Sequence, residues 1–157
     1  RTVGGKEKAA LVLFLSTGIH PKCIAFPDEY KVSIGEYSMS WKRTKKKTGG
    51  TCTLSLSSAF RESRHTIEKK LMGKSKVWLW TLVSRAGKRI GMTLNARLCR
   101  HTALCNFVRL NKDIFYIRSA TGTTLDTISG IYTIGIEDKK RMTQEERQWL
   151  EWLMEPP

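Results

Sequence analysis

Val77-Trp78-Leu79-Trp80-Thr81-Leu82-Val83 is the stretch on which the fold class turns. It is short, strongly apolar and rich in aromatic and β-branched residues, so it reads as a central strand. Ala86-Gly87-Lys88 then reads as a turn, and Ile90, Met92 and Leu94 alternate as the returning strand. Working outward, Ala9–Leu15 (AALVLFL) is a second uninterrupted apolar run of strand length, closed by the turn residues Ser16, Thr17 and Gly18. Residues 30–41 alternate through Tyr30, Val32 and Ile34. They slip by one residue at Gly35, as a β-bulge would, and resume through Tyr37, Met39 and Trp41. Cys52, Leu54 and Leu56 form the next alternating run. Further strands are expected at 107–110, 114–118 and 131–136, punctuated by Gly122 and Gly130. Residues 98–106 suit no one element.

Two segments carry a helical period. Phe60, Ile67, Leu71 and Met72 share a face, with Ser58 as N-cap and Gly73 as the left-handed terminating residue. At the end of the chain, Thr143-Gln144-Glu145-Glu146 has the form of a capping box, and its acids complement the helix dipole. Trp149, Leu150, Leu153 and Met154 form that helix's stripe, and Pro156-Pro157 stops it. The expected fold class is therefore α+β: a twisted antiparallel sheet packed against a middle helix and a C-terminal helix. Residues 1–157 are expected to form a single globular basic domain. The start at Arg1 suggests that an N-terminal tail is missing.

Charge is the more informative total. The chain carries 28 Lys and Arg against 14 Asp and Glu, a net charge of +14. The excess is uneven: residues 42–112 hold 18 basic and 2 acidic side chains, whereas residues 113–157 hold 5 basic and 8 acidic. Such a field speeds encounter with polyanions but says nothing of fold. Its sharpest concentration is Lys42, Arg43, Lys45, Lys46 and Lys47, on an expected loop between two strands. Ammonium groups there suit phosphates, which need charge more than geometry. The same loop suits anionic headgroups, or nuclear import. A solvated loop with no partner is the plain alternative. The segment 96–107 mixes apolar and basic residues, so Leu98, Leu104 and Phe107 are candidates for shallow membrane insertion or self-association. The plainer reading is a buried strand or short helix.

Other chemistry has little support. His20, Cys23, Cys99, His101 and Cys105 are residue types that bind zinc, but their spacings match no standard knuckle. The four cysteines read as reduced, buried thiols of an intracellular protein. No nucleophile elbow or phosphate-binding loop is present; Gly4-Gly5-Lys6 lacks the required spacing. Carboxylates are sparse in the basic region. The expectation is no catalytic site, no metal, no cofactor and no enzyme. No apolar run approaches the roughly 18–20 residues that span a bilayer.

The order of elements resembles that of the matrix protein of rhabdoviruses. Two stretches carry the likeness. Thr51–Arg97 holds TCTLSLSS, a Phe60-Arg61 step, HTIEKKLM, VWLWTLV, Ala86-Gly87-Lys88-Arg89 and a further strand. Ser129–Met154 holds GIYTIGIED and a Trp-bearing terminal helix. The resemblance implies a viral structural protein that self-associates, binds and condenses the nucleocapsid, and attaches it to the inner face of the envelope. It places membrane and nucleoprotein contacts on Lys42, Arg43, Lys45, Lys46 and Lys47. Some animal-virus members carry a Pro-Pro-x-Tyr budding motif; here Pro156-Pro157 has no following tyrosine, as a trimmed tail or a plant-virus type would show.

The expected function is a non-enzymatic assembly protein of matrix type. Its expected partners are nucleoprotein or nucleocapsid, anionic membrane, RNA and further copies of itself. Its expected location is the virion and, in the host, the cytoplasm, the inner membrane face and the nucleus. The alternative is direct RNA binding, as by a nucleocapsid component or silencing suppressor.

Overall fold

A computed structural model describes residues 5–43 and 50–157. Its secondary structure runs α1 (Gly5–Thr17), α2 (Pro21–Ala25), β1 (Ser33–Ile34), β2 (Ser38–Lys42), β3 (Thr51–Ser55), α3 (Ser58–Thr66), α4 (Lys76–Arg89), α5 (Ala96–Arg109), α6 (Ile114–Thr121), α7 (Leu125–Lys140) and α8 (Gln144–Met154). A π-helical turn, Ile67–Leu71, extends α3. The chain is thus mixed helix and sheet, with far more helix than the sequence suggests. The strands expected at 9–15, 77–83, 90–94, 107–110, 114–118 and 131–136 are not formed. Residues 90–94 are the connection after α4, and the other five lie within helices except for Leu110, the C-cap of α5.

Each misreading has a physical cause. The seven residues from Val77 are too few to separate a buried strand from a helix. Extended to Arg89, the same sequence buries Leu79, Leu82, Val83 and Ala86, the i, i+3, i+4, i+7 stripe of a helix. Trp80, which alternation would pair with Trp78, turns outward instead and is 41% exposed. Gly87 lies inside this helix, where a Cβ would come 2.7 Å from the Met92 carbonyl oxygen. In α1 the period is invisible because the helix is enclosed. Ala9, Ala10, Val12, Leu13 and Phe14 are all buried, with α3, α4, α5 and α8 packed around it. A helix buried on every side has no polar face to mark its repeat.

The helix starts are well defined. Ser57, Ser75, Asn95, Asp113, Thr124 and Thr143 each accept a hydrogen bond from a backbone N–H in the first turn of α3, α4, α5, α6, α7 and α8. Ser57, not Ser58, is therefore the cap of α3. Replacing Asn95 with alanine removes the 2.8 Å bond to Leu98 N–H and is expected to cost about 1 kcal/mol, read as a lower urea midpoint.

The strands form one antiparallel sheet in the order β1-β2-β3. Met39 pairs with Leu54 and Trp41 with Cys52; all four are buried on one face, and α6 packs against β3. Gly35 is not at a bulge: it opens the turn between β1 and β2, its N–H bonded to the Ser38 carbonyl at 2.8 Å. Arg64 of α3 donates to the Ile34 carbonyl at 3.1 Å and ties the sheet to the helical body.

Candidate polyanion-binding surface

The β2–β3 hairpin sets the first part of the site. Lys42 closes β2 against Thr51 and is exposed. Lys45, Lys46 and Lys47 lie outside the described residues. Arg43 does not project freely: its Nη2 donates to the Arg118 carbonyl at the end of α6, at 3.4 Å. The side chain thereby reaches the rim of a cavity of about 190 Å³ under the hairpin. His20, Cys23, Trp41, Cys52, Arg100 and the Thr121–Thr124 turn line it with Arg43, and among the described residues no carboxylate does.

Arg100 is the centre of this region. Its Nη1 donates to the Gly18 carbonyl, and its Nη2 donates to the Thr121 carbonyl at 3.1 Å and to Thr123 Oγ1 at 2.9 Å. The guanidinium joins the end of α1 to the end of α6. Burial lowers its pKa, with the neighbouring Cys52 and Cys23 opposing that shift. Gly122 makes the α6 turn possible. Its φ is +71°, and a Cβ there would come 3.0 Å from Cys52 Sγ.

His20 caps α2 through Nδ1, which accepts the Lys22 N–H at 3.1 Å. A neutral ring then carries its proton on Nε2. Burial, then Lys76, Arg100 and Lys22, lower its pKa from 6.5. The folded state therefore binds this proton less readily than the unfolded chain, so stability from this group is complete above pH about 6.5 and falls as pH drops toward the folded pKa. His20→Gln is expected to flatten that part of the stability–pH curve in urea titrations. Burial also pushes Cys23 up to about 12 and Cys99 up to about 11. Cys52 is raised by burial too, with the Arg43 side chain pulling it back. All four cysteines are free and buried. The five residues considered for zinc are not gathered, and among the described residues no group of three or more His, Cys, Asp or Glu could hold a metal.

A second cationic region runs along α4 into α5. Residues 69–112 contain eleven Lys and Arg and no Asp or Glu. Lys76 lies over the Trp80 ring at 4.6 Å and Lys74 over Trp78 at 5.8 Å. Val77, Trp80, Ile90, Met92 and Leu98 are exposed apolar groups within this stretch. Of the three insertion candidates only Leu98 stands on the surface. Leu104 and Phe107 are 4% and 1% exposed, because α5 turns them inward, where Phe107 meets Tyr116 edge-on. They are core residues, and the insertion role does not extend to them. The sequence reading missed Trp80, which a helical wheel over 76–89 would have placed outward.

Comparison with protein-family models, curated proteins and solved structures found no match for the chain.

The acidic end of the chain forms a third feature. A cleft of about 730 Å³ between α5, α7 and α8 is lined by Asp138, Glu145 and Glu146, by Arg109 and Arg141, and by Trp149; Arg109 pairs with Asp138 at 2.6 Å, and Trp149 is 56% exposed. Among the described residues no helix is long and apolar enough to cross a membrane.

Proposed function

We propose that this chain is a non-enzymatic viral assembly protein of matrix type, bridging a nucleocapsid and an anionic membrane through its basic surfaces and self-association. The observation that carries this reading is the acid-free run from Lys69 to Lys112, which sets exposed Trp80, Ile90, Met92 and Leu98 among cations. Apolar groups that enter the headgroup boundary beside basic side chains are what an anionic bilayer attracts. Contact with nucleoprotein is assigned to the charge run of Lys42, Lys45, Lys46 and Lys47. The cleft is of mixed charge, with Arg109 already paired to Asp138, so its Glu145 and Glu146 beside exposed Trp149 are the groups assigned to the basic face of a second copy. The architecture assigned with this reading is α+β, the sheet held to the helices through α6 and the Arg64–Ile34 bond.

Direct RNA binding is the second reading. Lys76 over Trp80 is the pairing of cation and exposed ring that single-strand binders use. Flotation with anionic and neutral liposomes across a salt series, with RNA as competitor, separates the two. Anionic-selective flotation that RNA does not displace is expected. Complete loss to RNA, or no flotation, would move the assignment to RNA binding.

Reversing the charge at Lys45, Lys46 and Lys47 to glutamate is expected to weaken polyanion binding and flatten its salt dependence. The melting temperature should stay nearly the same. Unaltered binding would remove the hairpin from the site.

A further inference from the structure

We propose that the cavity beneath the hairpin is a binding site for a single phosphate group, held by Arg43, Arg100 and His20. Size is the first argument. At about 190 Å³ the cavity lies below the roughly 300–1,000 Å³ that enclose drug-sized ligands. It admits one phosphate-sized anion, or the terminal phosphate of a larger molecule whose remainder stays outside.

Charge is the second argument. Arg100 is half-buried, and a cation partly withdrawn from water gains from an anion beside it. Among the described residues no carboxylate forms an ion pair with Arg100, and none lines the cavity. Its recorded partners are neutral: two carbonyls and one hydroxyl, which occupy three of its N–H groups. A guanidinium has about five such donors, so Nε–H and one Nη1–H stay available. A phosphate would supply both the missing countercharge and the acceptors.

The third argument is the arrangement around that centre. His20 spends Nδ1 on the α2 cap, which leaves Nε2–H as a donor on a ring that lines the cavity. Arg43 adds a further guanidinium to the lining, from the hairpin. Just outside, Arg43 and Arg118 share an adjoining cavity of about 170 Å³ with Asp126. A carboxylate in that adjoining cavity disfavours a second anion there, so one phosphate group fits better than a polyphosphate chain.

This site stands apart from the assembly reading. Flotation and small-anion binding report different events, so either can fail alone. The test is titration of the isotope-labelled full chain with inorganic phosphate at constant ionic strength, following the His20 ring and the Thr123 amide by NMR. A saturable shift at both positions is expected, together with a rise in the His20 pKa. Chloride at matched ionic strength should produce neither. Arg43→Gln should weaken the phosphate by about tenfold or more, the loss of one charge-assisted contact. Arg100→Gln should abolish saturation; should that variant not fold, Arg43→Gln decides.

The shared chemistry is a phosphate monoester, and two further titrations identify its source. A nucleoside 5′-monophosphate that binds more tightly than inorganic phosphate assigns the group to a nucleotide. A glycerol phosphate that binds more tightly assigns it to a lipid headgroup. Absence of saturation in the unaltered protein, or equal affinity in Arg43→Gln, overturns the site.

Discussion

Replacing Phe14 with alanine is expected to destabilise the protein by about 3–5 kcal/mol, the cost of emptying a fully buried aromatic site. Phe14 is 1% exposed and belongs to a helix packed on α3, α4, α5 and α8, so no single neighbour can collapse into the void. Against a total stability of about 5–15 kcal/mol for a domain, that loss leaves a large share of molecules unfolded at moderate temperature. Urea titration should show a much lower midpoint with an unchanged slope. A loss below about 0.5 kcal/mol, the scale of a surface change, would mean that α1 does not sit at the centre of the core.

The second large effect comes from Gly135 in α7. A Cβ at this position would come 2.6 Å from Val108 Cγ1 and 2.7 Å from Val108 Cβ. The close approach of α5 and α7 therefore depends on hydrogen at that site. Gly135→Val should cost about 2–3 kcal/mol through overpacking. A residue other than glycine normally helps a helix interior by up to about 1 kcal/mol, so here the steric term wins. Gly130 is the internal control. It lies in the same helix, and a Cβ there would meet nothing within 4 Å. Gly130→Ala should stabilise by about 1 kcal/mol. Equal effects at the two positions would refute the close approach.

The parts of this fold legible from sequence were those with a polar side to set the period. Alternation in 38–42 and 51–55 marks strands because Met39, Trp41, Cys52 and Leu54 face inward while Ser38, Lys42, Thr51, Thr53 and Ser55 do not. Thr143 and the stripe of α8 were legible for the same reason, although Trp149 turned out to face solvent. Enclosed helices hid themselves: α1 and the middle of α5 are apolar on several faces. The missed signal was the series of caps. Ser75, Asn95, Asp113 and Thr124 each stand immediately before a helix and each accept an amide bond. Read together, they argue for helices where β-branched and aromatic content argued for strands, and β preference is the weaker guide because it depends on context. Of the site, the hairpin cations were visible as a charge run. The cavity was not, since it joins Arg43 to Arg100 and His20 across elements far apart in sequence.

The position of α1 also bears on how the molecule is made. Residues 5–17 leave the ribosome before every element that covers them, and those elements extend to Met154 in α8. The helix most in need of shelter must wait until α8 has been synthesised. Contacts that bridge such separations slow folding relative to helical proteins with local pairings. Until α8 arrives, Leu13 and Phe14 lack part of their cover, so the nascent chain carries an exposed apolar segment of the kind that invites aggregation.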